Sequence, residues 1–153
     1  MFYVGEKIKG KWNNNSYLLL EKLGQGGIGT VYKVKDMLGN IFALKISTDI
    51  NSITREFENM KKLKSIDIVP KVYEIDDYIK NGETFYFFTM NCIDGYNLKQ
   101  IIATRNMNIK NILAVGVVVL ENLKKIYKLG YVYSDIKLEN IMIEKASKKI
   151  YLV

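Results

Sequence analysis

Histidine is absent from all 153 residues, cysteine occurs once, at Cys92, and proline once, at Pro70. Without histidine, Ser/His/Asp and Cys/His catalytic arrangements are excluded, and most zinc sites with them. A single cysteine excludes an internal disulfide and a cysteine-based zinc cluster. A membrane-spanning run is lacking too. The longest apolar run, Ile112 to Leu120, is interrupted by Gly116 and is too short to cross a bilayer. The start, Met1-Phe2-Tyr3-Val4-Gly5-Glu6-Lys7, has no signal-peptide pattern, so a cytoplasmic location is expected. Repeats and low-complexity linkers are also missing.

The chain is 48% hydrophobic and 25% charged, the balance of a globular domain with a real core. Its net charge of +7 comes almost wholly from lysines. They are scattered and form no arm or block, which reads as a solvated surface rather than a nucleic-acid footprint. Neither a nucleic acid nor a membrane is expected as a partner.

Along the chain, Phe2 to Trp12 reads as an extra strand or arm, and Asn13-Asn14-Asn15-Ser16 as a loop. Tyr17 to Leu23, Thr30 to Lys35 and Ile41 to Ile46 read as three closely joined strands, hence an antiparallel meander. A helix is expected over Ser52 to Lys64, where Ile53, Phe57, Met60 and Leu63 recur at helical spacing. After the break at Val69-Pro70, Val72 to Asp77 and Thr84 to Met90 are two more strands around Lys80-Asn81-Gly82-Glu83. From Leu98 the chain turns helical. Asn111 to Leu129 is a long helix whose apolar first half suggests a buried central element, ended by Gly130. Ile141 to Ile143 and Ile150 to Val153 form two short strands.

Three stretches carry chemistry. Gly24-Gln25-Gly26-Gly27-Ile28-Gly29 joins two strands, where glycines let backbone N–H groups approach phosphates without a Cβ in the way. Dinucleotide-binding folds share the glycine spacing, but there the glycines open a helix. Lys45 lies between Leu44 and Ile46 and is costly to bury without a partner. Two carboxylates on the helix compete for it. Glu56 falls within the apolar stripe and faces inward, whereas Glu58 falls about a quarter turn outside, so Glu56 is the expected partner. Finally, Asp135, Lys137 and Asn140 sit in one short segment, residues 131–143. Such a segment can aim a proton acceptor, a phosphate-neutralising cation and a metal-binding oxygen at one point.

In this order and at these distances the motifs resemble eukaryotic-type (Hanks-type) Ser/Thr protein kinases, over about Tyr17 to Val153. The resemblance implies an α+β, protein-kinase-like fold: a five-stranded antiparallel N-lobe sheet with one helix, followed by a truncated helical C-lobe. It divides the chain into an N-lobe of about residues 1–90, a hinge at 91–97 and the start of a C-lobe at 98–153. It implies ATP and Mg²⁺ as cofactors, a protein substrate, and phosphoryl transfer to Ser/Thr hydroxyls. Gly24 to Val31 would cover ATP, Lys45 would hold its α/β-phosphates and Glu56 would position Lys45. Met90 would be the gatekeeper, and Asn91 and Cys92 would offer backbone groups to adenine. Leu23, Val31, Ala43 and Met142 would sandwich the base. Asp135 and Lys137 would be catalytic, and Asn140 would bind the metal. Lys137 suits Ser/Thr rather than Tyr kinases.

Two departures stand out. Tyr133 and Ser134 replace the family's His and Arg, so an active enzyme should not need a phosphorylated activation loop. The Asp-Phe-Gly that the family places after a strand like residues 150–153 does not occur in this sequence. Negligible activity of the 153 residues alone is therefore expected, with self-association through an exposed C-lobe surface. Two alternatives remain: a catalytically inactive kinase-like module that binds nucleotide or a partner, and a small-molecule kinase of the aminoglycoside or choline type. Lys137 and the full glycine loop argue against the latter.

Overall fold

The computed structural model describes residues 2–104 and 108–153. Residues 105–107, part of the stretch expected to be helical from Leu98, lie outside the described residues. Two compact units are present: the chain up to Lys62 with Lys71–Cys92, and Leu63–Pro70 with Ile93–Val153.

The first unit is a six-stranded sheet with one helix. Strands β1 (Lys7–Lys9), β2 (Ser16–Gly26), β3 (Gly29–Lys35), β4 (Ile41–Ser47), β5 (Val72–Lys80) and β6 (Glu83–Asn91) lie in the order β1-β2-β3-β4-β6-β5. Every pairing is antiparallel. The alternating pattern of the strands gives the sheet two apolar faces. One carries Ile8, Tyr17, Leu19, Tyr32, Val34, Leu44, Ile46 and Phe87, all buried. On the other, Phe88 packs with Ile53 and Phe57 of helix α1 (Ile50–Lys62), flanked by Met60, Val72, Ile75 and Met90. Lys45 pairs with Phe88 and Ala43 with Met90 across β4 and β6. Cross-strand partners share a face, so Ala43 and Lys45 stand on the side that α1 covers.

The sheet has one strand more than the five expected. β1 is drawn from the segment that the sequence left as a strand or arm. The chain after it is held by Asp76, which is 3% exposed. Its carboxylate accepts the N–H groups of Trp12 at 3.0 Å, Asn13 at 2.8 Å and Asp77 at 2.7 Å. These bonds offset the cost of burying a charge. No pattern in the sequence announces a contact across more than sixty residues.

Helix α1 starts two residues before the expected Ser52, because Asp49 caps it. The Asp49 Oδ1 accepts from Asn51 N at 3.0 Å and Ser52 N at 3.1 Å. It ends at Lys62, so Leu63 leaves the expected stripe and packs in the core of the second unit instead.

The second unit contains β7 (Gly95–Asn97), α2 (Leu98–Ala103), α3 (Ile109–Lys128), a single 3-10 turn (Leu138–Asn140), β8 (Ile141–Glu144) and β9 (Ile150–Leu152). Its sheet order is β7-β8-β9. Strand β7 falls within the stretch expected as hinge. Asn97 forms a capping box with Gln100 at the start of α2, and Asn108 caps α3. Gly130, at φ 84°, ends α3, with its N–H on the Tyr127 carbonyl and the Tyr131 N–H on that of Ile126. That paired arrangement needs a left-handed residue, which explains the glycine. The core gathers Leu63, Ile66, Ile68, Leu98, Val115, Val119, Ile126, Ile141 and Leu152. The expected burial of the apolar half of α3 is only partly met. Val115 and Val119 are buried, whereas Ile109, Leu113 and Leu120 are 73%, 64% and 67% exposed.

Candidate active site

The glycine stretch is a β-hairpin. Gly24 and Gly26 end β2, Gln25 pairs with Thr30, Gly26 with Gly29, and Gly27 and Ile28 make the turn. Leu23 is 46% exposed and Ile28 44%. The glycines differ in what the fold demands of them. Gly29 has φ 147°, and a Cβ there would lie 2.5 Å from the Ile46 carbonyl oxygen. Only glycine fits. At Gly24, Gly26 and Gly27 an added Cβ would meet nothing within 4 Å. The protein's own packing gives no reason for glycine at those three positions. The space above this backbone is open, as a cradle for a phosphate chain must be.

Behind the hairpin, Val31 pairs with Lys45, which places both on the face of Ala43 and Met90. Lys45 Nζ donates to both Glu56 oxygens, at 2.7 and 2.5 Å. The two side chains are 15% and 31% exposed. Glu58, the competing carboxylate, is exposed. Sheet and helix together place a cation on a largely apolar face, desolvated enough to strengthen its electrostatic interactions.

At the end of β6, Asn91 donates its N–H to the Lys71 carbonyl at 2.9 Å. Its side chain accepts from Lys71 N and donates to the Tyr73 hydroxyl. The Asn91 N–H is thus committed within the first unit and is not the group that could serve an adenine. Cys92 is half-buried.

In the second unit, Lys137 Nζ and Asn140 Nδ2 both donate to Asp135 Oδ2 at 2.8 Å. Asn140 Nδ2 also donates to the Asp135 carbonyl at 2.9 Å. Hydrogen bonds from Lys137 and then Asn140 hold the Asp135 carboxyl below its ordinary value of 3.8. It is ionised at neutral pH and faces solvent, with 66% of the side chain exposed. The 3-10 turn returns Asn140 to Asp135 through its N–H on the Lys137 carbonyl. With both Nδ2 hydrogens used, the Asn140 Oδ1 is the atom suited to a hard cation. The donor set fits one ligand position of a Mg²⁺ ion, which takes its other ligands from water and phosphate. Among the described residues, no three His, Cys, Asp or Glu side chains gather as a metal cluster. Met142 lies on β8, half-buried, paired with Asn97 and Tyr151.

Sequence reasoning missed what secures this loop. The Tyr133 hydroxyl donates to the Val153 carbonyl at 3.0 Å, and Val153 N donates to the Asn140 carbonyl at 2.9 Å. Lys99 braces Glu139 at 2.8 Å. The one available signal was the hydroxyl that Tyr133 carries where the family has an imidazole.

A glycine hairpin with unforced glycines, a strand lysine paired to a helix glutamate, and an Asp-Lys-Asn loop define one class of protein. The chain belongs to the protein kinase family: the model of the protein kinase domain matches residues 17–152. It is similar to the serine/threonine-protein kinase YabT of Bacillus subtilis, with 33% identity over 91% of this chain and 42% of that protein. A probable casein kinase I homolog of Encephalitozoon cuniculi is 30% identical over 90% of this chain and 44% of its own length. The serine/threonine-protein kinase MPS1 of Saccharomyces cerevisiae is also 30% identical over 90% of this chain, but over 19% of its own. The chain thus spans less than half the length of each of these relatives.

Proposed function

We propose that the chain carries the nucleotide-holding and hydroxyl-orienting parts of a protein Ser/Thr kinase. The observation that carries this reading is the convergence of Lys137 and Asn140 on a single ionised oxygen of Asp135. In the first unit, the N–H groups of the 24–29 hairpin and the Lys45 ammonium hold phosphate oxygens, and Glu56 fixes the ammonium. Leu23, Val31, Ala43 and Met90 of the same unit serve the base. Asp135 accepts the hydrogen bond of a substrate Ser or Thr hydroxyl and orients it, and Lys137 faces the transferred phosphoryl group. Bound ATP would supply that group, and a Mg²⁺ ion held at Asn140 would supply charge neutralisation for it. Asn140 Oδ1 supplies one ligand to the ion.

The 153 residues alone should transfer little phosphate, since Asn140 is the only metal ligand of the family pattern among them. Their second expected property is self-association through the exposed side of α3. The small-molecule kinase alternative places no requirement on Lys137, whereas here Lys137 contacts Asp135. The test is radiolabel transfer from ATP to a generic basic protein, using a polypeptide extended to the length of the relatives. Asp135→Asn should lower transfer by about a hundredfold or more. Transfer that survives Asp135→Asn overturns the assignment of Asp135. An inactive extended polypeptide that still binds ATP favours the inactive-module reading.

A further inference from the structure

The connection between β3 and β4 has no part in the site. Its two central side chains, Met37 and Leu38, are 83% and 88% exposed, and they are adjacent. Apolar side chains on a loose loop could fold back onto the sheet. Here the turn is pinned. Asp36 Oδ1 accepts the N–H groups of Leu38 at 2.9 Å and Asn40 at 2.8 Å, and Oδ2 accepts Asn40 Nδ2 at 2.9 Å. Asp36 N donates to the Asn40 carbonyl at 3.0 Å, and Gly39 sits at φ 92°. The turn therefore presents its two apolar side chains outward on a pinned support, with the Asp36 carboxylate held by N–H donors of the turn itself.

The sheet register places three lysines beside this tip. Lys7 pairs with Leu18 and Leu18 with Lys35, so Lys7 and Lys35 share a face, two strand spacings or roughly 10 Å apart. Lys9 pairs with Ser16, two residues before Leu18, on the level to which Met37 continues β3. All three lysines are exposed. Of the nearby acidic groups, Glu6 is ion-paired to Lys80 at 2.7 Å, and the exposed Glu21 stands opposite Lys33 in the strand register.

We propose that the β3–β4 turn is a shallow membrane-docking tip: Met37 and Leu38 enter an anionic lipid surface while Lys7, Lys9 and Lys35 meet its headgroups. A bilayer accepts a convex apolar point, whereas a protein partner would need a complementary pocket. A lysine band beside the point matches anionic headgroups. The expectation of no membrane partner rested on the lack of a spanning segment, and among the described residues no helix is long and apolar enough to cross. Surface docking needs no such segment.

The test is co-sedimentation of the chain with phosphatidylcholine vesicles, with and without phosphatidylserine. The chain should bind only the anionic vesicles. The charge-neutral pair M37S/L38S should weaken that binding about tenfold, and K9E/K35E by a similar factor or more. Asp36 is kept in both, so melting temperatures should match the parent. Binding that M37S/L38S leaves unchanged would mean that the basic surface acts alone, and it overturns the insertion. Absence of binding to anionic vesicles at low salt overturns the proposal and leaves the tip to a protein partner.

Discussion

The Lys45–Glu56 pair and the Asp135 cluster are both charge constellations, yet they are built in opposite ways. Lys45 stands on a central strand beneath a packed helix, and its partner comes from another element eleven residues away. Its geometry depends on Phe88, Ile53 and Phe57 holding helix to sheet. Asp135 lies on an irregular loop, and its partners are two and five residues onward. Its geometry depends mainly on local turns, secured by Tyr133 and Val153. The group proposed to hold phosphate oxygens is placed by the core. The group proposed to orient a substrate hydroxyl is placed by its neighbours in sequence, facing water.

The widest separation of the two should come from core truncation. Phe88→Ala removes a fully buried ring and should cost about 3–5 kcal/mol in urea unfolding of the first unit, with the Lys45–Glu56 pair lost. Asp135→Ala, on an exposed loop of the second unit, should leave that unfolding nearly unchanged. Equal costs would break the comparison.

The hairpin carries a smaller contrast. Gly29→Ala forces a Cβ toward the Ile46 carbonyl at an unfavourable φ and should destabilise by about 1–3 kcal/mol. Gly27→Ala meets open space and should leave the melting temperature nearly unchanged while weakening ATP binding, both readable by thermal shift with and without nucleotide. Next, Lys45→Met should weaken ATP binding about tenfold in calorimetry, the size of one charge-assisted contact. Equal affinity in the variant would remove the role given to Lys45.

The smallest effect concerns pH. Lys137 and Asn140 lower the folded-state value of Asp135 below its ordinary 3.8, so the bonds stabilise the ionised form. That stabilisation is present above the ordinary value and lost as pH falls through the lowered one. Urea midpoints of the parent and of Asp135→Asn should differ by a small constant amount at neutral pH and converge in acid. Solvent screening keeps the difference slight. A difference that grows in acid would contradict the assigned direction.

Much of this was legible in the sequence because it is periodic or local. Apolar, β-branched and aromatic runs marked β2 to β6, helical spacing marked α1, a long stretch with an apolar first half marked α3, and Gly130 marked its end. The side of α1 on which Glu56 falls was enough to pair it with Lys45 rather than Glu58. The positions of Asp135, Lys137 and Asn140 already put three functional groups within reach of one another. Other features belong to the tertiary structure alone. Asp76 gathers Trp12 and Asn13 from the far end of the first unit, Leu63 changes cores, β7 joins β8, and Tyr133 meets Val153. Each joins residues that no short repeat relates, so only the packed chain decides them. The glycines divide along the same line: the sequence marked all four as a loop, but only the fold showed that Gly29 serves packing while Gly24, Gly26 and Gly27 face open space.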